Sequence, residues 1–146
     1  MGKVLSLGIT LNSGEKILEV SKIEVLHKKG IINDRHFSKI KETRNNITLI
    51  ESENIDFYNS KSNTKIPYIN FRRNIITKNI KLNELLQKKI KIGSVQILAY
   101  QLCKPCRYLQ EMLGYNDIVK EFLLKGGLRC EILNDGTINV GDEISY

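Results

Sequence analysis

A mainly β, mixed α+β fold is predicted by three features of the sequence. Short runs with apolar residues at alternate positions outnumber runs with helical spacing, turn residues recur between them, and no regular strand–helix alternation announces a parallel sheet. The 146 residues are 41% hydrophobic and 27% charged, within the usual globular range. No internal repeat, low-complexity run or linker divides them, so residues 1–146 are read as one domain. The longest apolar stretches, such as Val95–Ala99, fall far short of the roughly 20 residues a membrane-spanning helix needs. The N-terminus lacks the charged, apolar and cleavage regions of a secretion signal.

Val4–Thr10 alternates as a strand, Asn12-Ser13-Gly14 supplies a turn, and Ile17–Val20 and Ile23–Leu26 read as two further short strands. From His27 to Thr43 the periodicity fails and polar, basic residues dominate, which predicts a long loop of the kind that often carries function. Thr48-x-x-Glu51 has the spacing of a capping box and predicts a helix running to about Tyr58. Asn59–Asn70 is a polar connection, and a strand over Ile75–Thr77 follows the arginines at 72 and 73. Lys81–Leu86 suits a helical turn, and two strands, Lys89–Gly93 and Ser94–Leu102, meet at Gly93. Arg107–Leu113 and Asn116–Leu124 are the best helices, the second stopped by Gly126-Gly127. Leu128–Leu133 alternates, Asn134-Asp135-Gly136 is a hairpin signal, and Thr137–Val140 and Glu143–Tyr146 complete a β C-terminus.

Chemistry concentrates in three places. Cys103-Lys104-Pro105-Cys106 forms a turn at a strand's end, where binding sites favour placement. The motif is a lone C-x-x-C: Cys130 lies inside an apparent strand and His27 and His36 in a distant loop, so the second pair of a structural zinc site is missing. A dithiol redox pair and two small apolar core residues remain as readings of it. Arg72-Arg73-Asn74 carries two guanidinium forks suited to bidentate phosphate or carboxylate recognition, or simply to surface ion pairs. Asp34-Arg35-His36 joins an acid, a permanent cation and a titratable imidazole within one loop. Three cysteines cannot close a disulfide framework and suit a reducing, cytoplasmic compartment. The 23 Lys+Arg exceed the 16 Asp+Glu, for a net charge of +7, but the 6 Tyr and 4 Phe are scattered rather than interleaved with the basic residues. A basic β-barrel that binds nucleic acid is therefore the weaker alternative, beside the dithiol redox protein.

Taken in order, Gly30-x-x-Asn33-Asp34-Arg35-His36, Arg44, Ile47-Thr48-Leu49-Ile50-Glu51, Arg72-Arg73-Asn74-Ile75, Cys103-x-Pro105-Cys106, Gly136 and Val140-Gly141-Asp142 resemble the MOSC family, named for the C-terminal domain of molybdenum cofactor sulfurase. The resemblance spans about residues 1–146 and implies a mixed β-barrel akin to the pyruvate kinase β-barrel domain, with peripheral helices. It implies that Cys106 is the reactive cysteine, a ligand to molybdenum or a carrier of sulfur. It further implies that Asp34, Arg35, His36, Arg72, Arg73, Asn74 and Lys104 hold molybdenum cofactor (molybdopterin). Asn33 stands where the family has glycine, and asparagine tolerates the left-handed backbone such a turn requires.

The family resemblance implies a stand-alone molybdenum-cofactor-dependent oxidoreductase or sulfur-transfer protein, with reduction of N-hydroxylated substrates as one outlet. The chain has no room for the aminotransferase-like sulfurase domain, so pyridoxal phosphate is not expected in this chain alone. The implied partners are an electron-donor protein or a cysteine desulfurase and a small-molecule substrate, without membrane or nucleic acid.

Overall fold

Alternating apolar residues produce the frame: in β1 (Gly2–Ile9) Val4 and Leu7 enter the core, and in β7 (Lys89–Ile92) Ile90 and Ile92 do so between exposed lysines. The computed structural model describes residues 1–12, 14–37 and 47–146. The remaining strands are β2 (Leu18–Val20), β3 (Lys22–Leu26), β4 (Gly30–Ile31), β5 (Ile47–Glu51), β6 (Ile75–Lys78), β8 (Val95–Leu102), β9 (Leu128–Ile132), β10 (Gly136–Asn139) and β11 (Glu143–Ser145). The helices are α1 (Ser52–Ser62), α2 (Arg107–Leu113) and α3 (Ile118–Glu121), with 3-10 turns at Tyr68–Phe71 and Leu82–Leu85.

Seven strands close into a barrel in the order β11-β7-β8-β9-β5-β6-β1, with β1 returning to β11 through Gly2 opposite Ile144. Closure removes the exposed sheet edges that would otherwise template aggregation. β2 extends the sheet from the later part of β1, and β10, β3 and β4 form a separate three-stranded sheet. The expected mainly β barrel with peripheral helices is therefore the observed fold. Branched aliphatic residues including Ile47, Leu49, Ile75, Leu128 and Ile132 fill the barrel interior. A second cluster, with Ile50, Ile55, Tyr58, Phe71 and Phe122, seats the helices against it, the Phe71 and Phe122 rings lying 4.8 Å apart.

Several local expectations are corrected. Thr48 and Glu51 do not form a capping box; both lie in β5, and α1 begins only at Ser52. The Thr48 hydroxyl bonds Asn74, and the Glu51 carboxylate accepts the Leu82 backbone N–H. β5 and β6 then pair in parallel, making α1 and the Tyr68–Phe71 turn a crossover that the lack of a regular βαβ rhythm concealed. The polar connection after α1 is organised by Asn59, whose amide bonds both Thr64 and Ile66. The final helix is reduced to a single turn at Ile118–Glu121, with Asp117 rather than Asn116 preceding it.

Asn134-Asp135-Gly136 does not form a hairpin, because β10 leaves β9 and pairs with β3. The Asn134 side chain instead accepts the Gln96 N–H and donates to the Ser94 carbonyl, while Asp135 accepts the His27 N–H. Gly126-Gly127 is more than a helix stop. A Cβ on Gly126 would lie 2.5 Å from the Cys103 carbonyl, and one on Gly127, at φ +98°, 1.8 Å from the Leu49 carbonyl.

This close approach makes a paired prediction. Gly127→Ala should cost about 3 kcal/mol or more, or prevent folding, because it adds a backbone clash to left-handed strain. Gly114→Ala has the same handedness, φ +79°, but open space around it, and should cost only about 1 kcal/mol. Thermal unfolding of the two variants checks the ranking; equal losses would contradict the packing role of Gly127.

Candidate functional site

The loop after β4 is built around one buried carboxylate. Asn33 takes the left-handed conformation at φ 72°, as expected for the residue standing in a glycine position. Asp34 follows, 7% exposed, and its Oδ1 accepts the Thr10 backbone N–H at 2.9 Å while Oδ2 accepts the His36 N–H at 3.2 Å. The Arg35 N–H donates to the Thr10 carbonyl at 2.6 Å. Thr10, at the end of β1, is thus clasped from both sides, and Arg35 and His36 are carried outward from this anchor. Arg44, the next residue of the family pattern, lies outside the described residues.

A second knot forms before β6. Asn74 Oδ1 accepts the Thr48 N–H and hydroxyl, Asn74 Nδ2 donates to the Gly8 carbonyl, and the Asn74 N–H donates to the Thr48 hydroxyl. Arg72, immediately before, adopts φ 62° and donates from Nη1 to the Glu15 carbonyl at 2.8 Å. Arg73 Nε donates to the Gly126 carbonyl at 3.0 Å, which holds this guanidinium beside the glycine pair. The Cys103 N–H donates to the Gly127 carbonyl at 2.8 Å, so the cysteine turn is held to the same glycines.

The three cysteines differ sharply in environment. Cys106 is exposed and stands directly before α2, whereas Cys103 and Cys130 are buried. Burial, reinforced by the neighbouring Cys103, pushes the Cys130 thiol far above the usual thiol range.

These elements converge on one cavity of about 360 Å3, lined among others by Asp34, Arg35, His36, Arg72, Arg73, Asn74, Cys103 and Cys106. Seven of the eight sequence-predicted site residues are therefore brought together; Lys104 is exposed on the turn and is not in the lining. The sequence reading missed Arg129, Thr10 and Tyr108, which also line it. Arg129 lies opposite Thr48 across the β5–β9 pair, and its neighbours Leu128 and Cys130 enter the barrel core. An arginine on an alternating strand between two core positions was the available signal, but it resembles any solvated strand face.

The cavity is strongly cationic. Arg35, Arg72, Arg73 and Arg129 all line it, and Asp34, the single carboxylate among the described residues of the lining, is turned to backbone N–H groups. The Arg129 side chain has no hydrogen-bond or ion-pair partner among the described residues. The His36 pKa is held below its ordinary 6.5 by desolvation first, then by Arg35; Asp34 opposes this, and Arg129 and Arg72 add to it. Such a site favours an anionic ligand beside an accessible sulfur.

A family model described as MOSC domain matches residues 33–145. The crystal structure of the YuaD protein from Bacillus subtilis has a TM-score of 0.85 at 20% identity, over 100% of this chain and 97% of that one. YiiM from Geobacillus stearothermophilus gives 0.80 at 15% identity, over 99% and 74% of the two chains. YiiM from Escherichia coli gives 0.68 at 14% identity, over 97% and 70%. At these identities the likeness is one of fold. No curated protein matches the sequence significantly.

Two predictions rest on this geometry. Because the folded pKa of His36 is depressed, the unfolded chain binds the proton more readily; the stability this site contributes is present above pH 6.5 and falls as pH drops toward the folded midpoint. In an NMR titration His36 should have its midpoint below 6.5, and Arg129→Gln should raise it; an unmoved midpoint would remove Arg129 from the imidazole's surroundings. With iodoacetamide at neutral pH, Cys106 should be labelled first in the native protein, and Cys103 and Cys130 only on unfolding. Faster labelling of either buried cysteine, read by peptide mass spectrometry, would contradict the assignment.

Proposed function

The chain belongs to the MOSC domain family, and on that premise we propose that it holds molybdenum cofactor in the arginine-lined cavity, with Cys106 presenting its sulfur to the metal. The observation that carries this reading is the convergence of an exposed free thiol with Arg35, Arg72, Arg73 and Arg129 on one cavity. A carrier of a single persulfide sulfur has less use for so many guanidinium groups, which favours the cofactor over simple sulfur carriage.

The donor set fits the group. A soft sulfur suits molybdenum, and guanidinium forks suit a pterin phosphate. Among the described residues no three His, Cys, Asp or Glu side chains gather into a metal cage, which suits a metal arriving with its own organic ligand. Bound, the cofactor would supply two-electron chemistry, with two protons converting an N–OH group to N–H and water and the electrons coming from a separate donor protein.

The protein's own residues have separate tasks in this reading. Arg72 and Arg129 bind the phosphate, while Arg73, held by the Gly126 carbonyl, keeps the cysteine turn beside them. His36, whose lowered pKa keeps it mainly neutral at pH 7, can accept or donate a proton at the substrate. Asp34 and Asn74 position these groups through backbone contacts rather than touching the ligand. Residues 1–146 act as one unit in a reducing cytoplasm, and a cysteine desulfurase remains the partner expected if sulfur is the cargo. No helix among the described residues is long and apolar enough to cross a membrane.

The test is expression in a host that makes molybdenum cofactor, followed by metal analysis and pterin fluorescence of the purified protein. Wild type should retain both; Arg72→Ala and Arg129→Ala should each weaken retention about tenfold or more, with circular dichroism unchanged. Cys106→Ser should retain less metal than wild type without losing it altogether, while Cys103→Ser should retain as much as wild type. Absence of pterin from wild type, or equal occupancy in all variants, would overturn the proposal.

A further inference from the structure

A second cavity of about 530 Å3 adjoins the first, and Ile17 and Arg72 line both. Its walls come from the residues before β2, the segment between α1 and the Tyr68–Phe71 turn, and the C-terminal end of α2. Two kinds of surface meet there. Ile17, Ile66, Met112 and Tyr115 supply apolar wall, and Met112 and Tyr115 remain 44% and 37% exposed. Lys16, Lys65 and Arg72 supply positive charge, and among the described residues no carboxylate joins the lining.

The two lysines are available for a ligand. Neither makes a hydrogen bond or ion pair among the described residues, whereas Lys61 nearby in sequence is paired with Glu121 at 2.8 Å. Arg72 is already oriented where the cavities meet, because its left-handed backbone and its bond to the Glu15 carbonyl fix the start and end of the side chain. The connection bearing Lys65 and Ile66 is held by the Asn59 amide through both the N–H and the carbonyl of Ile66. An apolar wall with uncompensated cations on a braced frame is complementary to an amphipathic anion.

We propose that this second cavity is a substrate subsite for an aromatic molecule carrying a phosphate or carboxylate. The ring lies against Ile66, Met112 and Tyr115, and the anion is held by Lys16 and Lys65. The subsite rests on the proposed function only in directing the other end of the substrate toward Cys106, past Arg72. Aromatic anions should bind there whether or not the first cavity holds a cofactor.

NMR titration of the full, cofactor-free chain with phenyl phosphate, benzoate, phenol and inorganic phosphate tests this directly. Phenyl phosphate or benzoate should shift the amides of Lys65, Ile66, Met112 and Tyr115 and bind about tenfold more tightly than phenol or inorganic phosphate. The tighter aromatic anion identifies the preferred charged group. Lys16→Ala combined with Lys65→Ala should remove that advantage without changing phenol binding, and Tyr115→Ala should weaken the aromatic anions while sparing inorganic phosphate. Shifts confined to Cys106, Arg129 and their neighbours, or aromatic anions no tighter than inorganic phosphate, would overturn the subsite. Because no molybdenum is present, that failure would leave the cofactor reading standing, and a chain shown to bind no cofactor would leave this result intact.

Discussion

Asn74 is the point on which the rest of the site depends. Its side chain reaches β1 through the Gly8 carbonyl and β5 through Thr48, while its own carbonyl accepts the Gly8 N–H at 2.8 Å. Three strands are therefore locked together where the chain turns out of Arg72-Arg73 and into β6. With that junction rigid, Arg73 can brace Gly126, the glycine pair can hold Cys103, and the turn can deliver Cys106 to the cavity. These links run through the Asn74 amide, the Arg73 guanidinium and the Cys103 N–H, and the Cys106 sulfur takes part in none of them. This division between positioning and binding groups is what a preorganised site requires.

Electrostatics impose the second constraint. Several guanidinium groups in one cavity repel one another, and among the described residues the one carboxylate that lines it, Asp34, is committed to the Thr10 and His36 amides. The cation excess also lowers the His36 pKa together with burial. A ligand anion would relieve that repulsion. The barrel core carries the stability of the fold, through interior aliphatic side chains that each contribute about 1.5–3 kcal/mol on burial.

Much of this was legible locally. Alternation located β1, β7, β8 and β9, helical spacing located α2 at Arg107–Leu113, and the asparagine at 33 did adopt the left-handed turn expected of it. The failures share a cause, because the decisive partner lay far away in sequence. Thr48 and Glu51 have the spacing of a helix start, yet Thr48 is claimed by Asn74 and Glu51 by Leu82. Asn134-Asp135-Gly136 has hairpin chemistry, but its side chains bind the β7–β8 turn and His27 instead of closing a hairpin. Arg129 becomes a cavity residue only because β9 pairs with β5. Motif order could group Asp34, Arg72 and Cys106, whereas a single arginine within a strand carried no such label.

The central claim is that an anionic molybdenum cofactor sits among these arginines with Cys106 as a sulfur ligand. X-ray absorption at the molybdenum edge of the loaded protein addresses it most directly. The account predicts that Cys106→Ser, loaded under the same conditions, shows one sulfur fewer around molybdenum than wild type, with an oxygen or nitrogen in its place. An unchanged sulfur coordination in a variant that still holds the metal would contradict it.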